Sequence, residues 1–256
     1  YYKDFNDAHH FDIMGGYEWQ HFHRQGANDG FGRYQDTHAV NPGQEYSRNK
    51  SQWETENYLV SFFGRANYDY DSRYSLSATL RADGSSKFAA GNQWGIFPSA
   101  AASWTISNEP WMEGASTWLD NFKLRYSYGT AGNNNIPTGV SSMTFSANAT
   151  TWLSNTDTYW TTTKVGGKTI MPNPDLTWET TISHNLGIDL SFFQGRINGT
   201  FELYHNTTKD LLIQFPTAGS GYDYQYQNIG STQNRGFEAS LNFVVFEKKN
   251  FGLTLG

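Results

Sequence analysis

Segments of this chain alternate apolar and polar residues with a period of two, and the links joining those segments alternate long and short. Tyr58, Val60, Phe62, Ala66, Tyr68 and Tyr70 are interleaved with Asn57, Ser61, Arg65, Asn67 and Asp69. After a turn at Asp71-Ser72-Arg73 the pattern resumes as Tyr74, Leu76, Ala78, Leu80 and Ala82 against Ser75, Ser77, Thr79, Arg81 and Asp83. A period of two gives a β-strand one chemistry per face. Tight turns at one end and long loops at the other are the construction of a transmembrane β-barrel, in which only the outer side needs elaborated loops. The pattern predicts an all-β, antiparallel transmembrane barrel wall.

The same reading places strands at roughly 10–21, 57–70, 74–83, 95–107, 122–128, 178–192, 197–203 and 237–245, with another begun at 251, about nine in all. The cleanest carries Trp178, Ile182, Leu186, Ile188, Leu190 and Phe192 opposite Glu179, Thr181, Ser183, Asn185 and Asp189. Every second link is long (roughly 22–54, 84–94, 130–177 and 206–233) and is expected to face outside the cell. The periplasmic set is short: Asp71–Arg73, Gln194-Gly195, Lys248-Lys249 and a compact Asn108–Asn121 segment with room for a helical turn. Tyr68, Tyr70, Tyr74, Trp104, Phe122 and Phe192 then gather at the periplasmic rim, where an aromatic belt belongs.

Composition fits a strand-crossing membrane protein. Aromatic residues make up 17% of the chain, hydrophobic residues only 37%, and the mean hydropathy is −0.65. The sequence contains no apolar run of the roughly 18 residues that a membrane helix needs, whereas a barrel strand needs only alternate apolar positions. A net charge of −6 argues against nucleic acid, which calls for a basic stripe. With no cysteine, disulfide frameworks, thiolate zinc sites and a cysteine nucleophile are excluded. Opening on Tyr1 and stopping at Gly256 inside an alternating run, the 256 residues read as part of one barrel domain of a longer protein. Two other classes satisfy the alternation: a soluble all-β carbohydrate-binding module, and a passive porin or adhesin barrel. The long/short asymmetry of the links is what a soluble sandwich explains poorly.

Several stretches do more than alternate. Leu80-Arg81-Ala82-Asp83-Gly84-Ser85-Ser86-Lys87-Phe88 runs on to Asn92-Gln93-Trp94-Gly95-Ile96-Phe97-Pro98-Ser99, then Ser103-Trp104-Thr105-Ile106-Ser107-Asn108-Glu109. Phe122-Lys123-Leu124-Arg125-Tyr126-Ser127-Tyr128-Gly129-Thr130-Ala131-Gly132-Asn133 and Pro172-Asn173-Pro174-Asp175-Leu176-Thr177-Trp178-Glu179 follow. Asn228-Ile229-Gly230 and Asn234-Arg235-Gly236-Phe237-Glu238 complete the series. In this order and spacing they closely resemble the SusC/RagA group of TonB-dependent outer-membrane transporters of Bacteroidetes. The resemblance covers most of the chain and is weak at 22–52 and 140–170. It implies about nine strands of a barrel that has 22 in that group, with the plug domain, the TonB-contacting segment and the remaining strands lying elsewhere. It further implies residence in the outer membrane, uptake of oligosaccharides or peptides, energy delivered through TonB, and a SusD-like surface lipoprotein over the mouth.

Candidate sites follow from faces and loops. Arg65, Arg81, Lys123, Arg125, Asp189, Glu202 and Glu238 fall on the polar face and are expected to line the lumen, as a hydrated wall or as a plug-docking or substrate path. Trp152, Tyr159 and Trp160 in one long loop and Tyr222, Tyr224 and Tyr226 in another are candidates for contact with a sugar ring or a partner, or for packing within the loops themselves. His21 and His23 share a strand face, but no third metal ligand is indicated beside them. The sequence holds no Gly-x-Ser-x-Gly and no His-Glu-x-x-His, so neither a cofactor nor an enzyme activity is expected.

Overall fold

Period-two patterning produces long strands joined edge to edge. The computed structural model describes residues 1–5, 8–33, 46–142, 145–152, 155–162, 164–165, 168–217, 219–248 and 251–256. Side chains at 4–5, 28–33, 46–51, 145–165, 247–248 and 251–252 lie outside that description. In chain order the strands are β1 (Tyr2–Phe5), β2 (His9–Arg33), β3 (Tyr46–Tyr70), β4 (Tyr74–Ser85), β5 (Trp94–Thr105) and β6 (Leu119–Asn133). There follow β7 (Phe145–Trp152), β8 (Asn155–Thr162), β9 (Lys164–Val165), β10 (Lys168–Met171), β11 (Glu179–Phe192) and β12 (Ile197–Lys209). The last four are β13 (Leu212–Pro216), β14 (Tyr224–Asn228), β15 (Ser231–Lys248) and β16 (Phe251–Leu255). Ten of them form one sheet in the order β1-β2-β3-β4-β5-β6-β11-β12-β15-β16. These are the nine expected strands plus the short β1.

Antiparallel pairing holds residues of one chemistry in rows across the sheet. Phe11, Tyr68, Leu76, Ala102, Tyr126, Leu186, Leu203 and Phe237 pair in turn across eight strands. The next row toward the short turns is polar: His10, Asp69, Ser75, Ser103, Arg125, Gly187, Glu202 and Glu238. Apolar side chains on the first face stay open, with Ile96 67% and Phe237 61% exposed. In water such a continuous apolar face is untenable; in a bilayer it meets lipid.

Aromatic rings bound this face at both ends. At the short-turn end Tyr70 stacks on Tyr74 and Tyr74 on Trp104, each pair 6.2 Å between centroids, and Trp118 stacks on Phe192. At the other end Tyr17, Phe62 and Trp94 contact in series at 5.3 and 6.1 Å. The eight residue steps from Phe62 to Tyr70 amount to about 26 Å of strand, or about 20 Å of membrane normal at a tilt of about 40°. That is close to the height of an outer-membrane apolar band.

Turn chemistry matches the expected short links at Asp71–Arg73 and Gln194-Gly195, while Lys249 of the Lys248-Lys249 link lies outside the described residues. Asp71 and Ser72 both take φ 53°, and Asp69 Oδ1 accepts the Ser72 N–H at 2.9 Å. Phe193, Gln194 and Gly195 likewise have positive φ. The Asn108–Asn121 link holds a 3₁₀ turn at Pro110–Ala115, preceded by another at Ile106–Asn108. Its Glu109 is buried and accepts from Tyr74 Oη (2.6 Å), Trp104 Nε1 (2.8 Å) and Arg73 Nη1 (3.3 Å).

Two expectations need correction. Much of 22–54 is strand: β2 and β3 stay paired up to Arg33↔Tyr46. Cross-strand side-chain bonds sustain this extension without an apolar stripe, including His21 to Glu56 and His23 to Glu54, each 2.8 Å. Trp178, assigned to the apolar face of β11, precedes that strand and is buried, its Nε1 donating to the Gln93 carbonyl at 2.9 Å. It belongs to a core above the wall, built from three of the long links and from Phe97 of β5: Phe88, Phe97, Ile136, Val140, Ile170, Leu176, Trp178, Tyr224 and Tyr226. A small sheet in the order β13-β14-β10-β9 forms one side of this cap.

Candidate functional site

Strand alternation brings the charged candidates to one face, and register sorts them into two groups. On β4, Arg81 Nε donates to both oxygens of Asp83 (2.8 and 2.9 Å), two residues along the same strand. Its Nη2 reaches Ser61 Oγ at 2.9 Å and Glu18 at 3.3 Å on the next two strands. Ser61 and Asp83 are buried beneath it, and the Phe63 ring lies 5.9 Å from the guanidinium carbon. Phe63 in turn covers Gly16, its register partner, with Cζ only 2.2 Å from where a Cβ would stand.

On β6, Arg125 pairs with Asp189 through Nε (2.9 Å) and Nη2 (3.2 Å), and Nη2 also bonds Glu202. The guanidinium crosses β11 at Gly187, where an added Cβ would sit 2.7 Å from Cζ. A bare backbone at that point lets one arginine span three strands. Fixed forks of this kind hold carboxylates bidentately. Glu238 faces Glu202 in register and is exposed; Lys123 faces Asp189. Arg65 joins neither group and donates to Asn67 Oδ1 at 3.1 Å. Between the groups the wall is floored by small polar residues (Ser75, Ser77, Ser103 and Ser127) in a shallow trough of about 490 Å³ that Lys123 and Arg125 edge.

A second concavity, of about 580 Å³, opens where the wall meets the cap, lined by Arg24, Asn57, Lys87, Asn134, Asn135 and Tyr226 among others. Lys87 is half-buried there and donates to the Asn134 carbonyl at 3.3 Å. Burial first, and the nearby Arg24 charge second, push its ammonium below the ordinary lysine pKa. Neither Arg24 nor Lys87 was singled out from sequence. Alternation alone does not reveal a residue whose partner is a backbone carbonyl in another loop.

The loop aromatics divide. Tyr224 and Tyr226, expected to be exposed, are each 8% exposed and pack edge to face at 5.8 Å inside the cap. The Tyr226 hydroxyl accepts from Gln214 at 2.7 Å. Loop packing is therefore their observed role, because three of the long links converge on one spot above β5 and their largest apolar groups fill it. Tyr222 is half-buried at the cap edge. Trp152, Tyr159 and Trp160 sit on the β7–β8 hairpin, Tyr159 and Trp160 opposite Asn148 and Ala147, but their side chains lie outside the described residues. Among the described residues no three His, Asp or Glu side chains converge as metal ligands.

Residues 1–256 match the family described as TonB dependent receptor-like, beta-barrel. The chain belongs to this family. Its relatives include the TonB-dependent receptor SusC of Bacteroides thetaiotaomicron, 37% identical over 249 residues, which is 95% of this chain and 24% of SusC. The TonB-dependent receptor P3 of Formosa agariphila is 34% identical over 257 residues, covering 98% of this chain and 25% of that one. A solved structure of the RagAB peptide transporter superposes with a TM-score of 0.82 at 26% identity, over 99% of this chain and 28% of the matched one. The siderophore receptor PirA of Acinetobacter baumannii, at 15% identity and a TM-score of 0.56, shares the fold. This SusC/RagA-type barrel wall spans about a quarter of the length of the curated relatives it matches. Its membrane is the outer membrane, and its apolar face is the lipid face.

Proposed function

We propose that this chain supplies the lumen wall and outer vestibule of a TonB-energised importer for oligosaccharides or peptides, capped by a SusD-like surface lipoprotein. The observation that carries the reading is the likeness to SusC and RagA-type receptors along nearly the whole chain, on a sheet whose two faces differ so sharply. Arg65, Arg81, Arg125, Asp189, Glu202 and Glu238 line the lumen in this reading, most of them bonded into the wall and so hydrating the path. Each of the two fixed arginines keeps its charge satisfied by neighbouring carboxylates, so neither is left free to trap an anion. The plug, the TonB-contacting segment and the remaining strands belong to the parent protein outside these residues. Trp160, Tyr159, Trp152 and Tyr222 remain the aromatic candidates for substrate or lipoprotein contact at the mouth, since flat aromatic faces suit sugars and anchor protein interfaces.

The test is recovery of the full-length parent from detergent-solubilised outer membrane, with mass spectrometry of its companions and of uptake in cells. A stoichiometric surface lipoprotein, together with TonB-dependent uptake of labelled glycan or peptide fragments, is the expected result. A parent that passes such solutes equally well without TonB would instead be a passive porin.

A further inference from the structure

We infer that the lipid-facing surface of β11, β12 and β15 carries a binding site for a phosphorylated lipid head group of the outer leaflet, centred on Arg235. His184, His205 and Arg235 are successive register partners on these three strands, on the face that elsewhere displays Leu186, Leu203 and Phe237. They line the upper part of an outward groove of about 410 Å³ whose lower part is Tyr126, Leu186 and Leu203. An apolar floor beneath a cationic edge is the shape that acyl chains and a phosphate together require.

Height places the edge at the head-group level. His184 stands eight residue steps from Phe192, His205 eight from Ile197, and Arg235 eight from Phe243, and those three residues pair across the periplasmic end of their strands. Phe62, in the outer aromatic girdle, is likewise eight steps from Tyr70. One flank of the barrel thus marks the outer boundary of the band with Tyr17, Phe62 and Trp94, while the other marks it with two imidazoles and a guanidinium. An arginine on a lipid face is costly at mid-bilayer and nearly free at the interface, and at the interface it attracts an anion.

Charge complementarity points the same way. None of the residues on this face of the three strands, from Thr180, Lys209 and Ser231 down to Phe192, Ile197 and Phe243, is acidic, although the chain carries a net −6. Glu202 and Glu238 lie on the opposite face. Arg235 has no carboxylate partner among the described residues. His184 Nδ1 is bonded to the Tyr126 hydroxyl at 2.9 Å and His205 to Gln233, which holds both rings beside the arginine. Of outer-membrane lipids, the phosphorylated glucosamine lipid of the outer leaflet (lipid A) presents phosphate at this height on this side.

Native mass spectrometry of the full-length parent in detergent tests the site, with lipid A, phosphatidylglycerol and phosphatidylethanolamine as competing probes. Lipid A is expected to be retained preferentially, Arg235→Gln to weaken its retention about fivefold, and Arg235→Lys to restore most of it. Equal retention by Arg235→Gln and the unaltered protein would overturn the site, and phosphatidylglycerol competing as well as lipid A would overturn the choice of lipid. Should Arg235→Gln not insert, the His184→Ala, His205→Ala double variant is expected to lose at least half of the retained lipid A, and unchanged retention there would be equally decisive.

Discussion

Phe97 offers the sharpest test of how the cap is joined to the wall. Its ring is 5% exposed, meets Trp178 edge-on at 5.5 Å, and lies directly over Gly132. A Cβ added to Gly132 would stand 2.0 Å from Phe97 Cζ and within 2.7 Å of both Cε atoms. Gly132→Ala therefore forces the ring out of its seat. Overpacking of this kind costs about 1–3 kcal/mol, and complete loss of the ring's packing would cost about 3–5 kcal/mol, so about 2 kcal/mol is a reasonable expectation. If the cap opens as a local unit, that raises the open population about 30-fold. Tryptic cleavage after Lys87, whose ammonium is tied to the Asn134 carbonyl, reads that opening in the full-length parent under conditions where closing outpaces cleavage. In a Phe97→Ala background the same glycine substitution has nothing to displace and becomes neutral or slightly favourable. The double-mutant cycle should then return a coupling of about 2–3 kcal/mol. Cleavage after Lys87 that Gly132→Ala leaves at the wild-type rate, or a penalty just as large without Phe97, would refute this account of the junction.

Three further outcomes follow from the geometry. Gly187→Leu should dislodge Arg125 from Asp189 and Glu202; because all three side chains are about a quarter to a third exposed, the loss should be only about 0–1 kcal/mol, visible as a small fall in the parent's thermal midpoint that shrinks in 1 M salt. Glu109 is held below its ordinary pKa of 4.5 by hydrogen bonds from Tyr74, then Trp104, then Arg73, so its stabilisation is present above pH 4.5 and fades as pH falls through the lowered value. Glu109→Gln should accordingly lower the midpoint at pH 7 but make little difference in more strongly acid buffer, measured by tryptophan fluorescence. Leu176→Ala empties a fully buried position and should destabilise the cap by about 2–5 kcal/mol, accelerating proteolysis between β10 and β11 while the barrel keeps its heat-modifiable mobility on gels.

Sequence alone revealed the wall because period two is a local signal. Tyr58 to Asp83 alternate so regularly that the turn, both strands and both faces could be assigned without knowing any neighbour. The polar groups were legible only as a face. That Arg81 closes on Asp83, Ser61 and Glu18, and Arg125 on Asp189 and Glu202, depends on register across several strands, which no single strand encodes. The cap was illegible for a related reason: Phe88, Ile136, Leu176 and Tyr226 stand far apart in the chain and lack periodicity. Their shared core exists only once the wall has brought three of the long links together over β5. Tyr224 and Tyr226 looked like free loop aromatics because composition cannot distinguish a ring that offers itself from one that is already spent on packing. The β2–β3 extension was missed for the opposite reason, since its pairing is carried by polar partners such as His23 and Glu54 and leaves no apolar stripe to detect.

That extension gives the mouth two unlike jaws. Above Leu59↔Ser85 β3 has run past the end of β4 and continues paired with β2 up to Arg33↔Tyr46. On the far side the β5–β6 ladder ends at Ser99↔Gly129, just past Pro98, and the densely packed cap takes over from the sheet. Whatever meets the mouth therefore finds two different surfaces: paired strand rising past β4 on the β2–β3 side, and a folded loop core closed over Phe97 and Trp178 on the β5–β6 side.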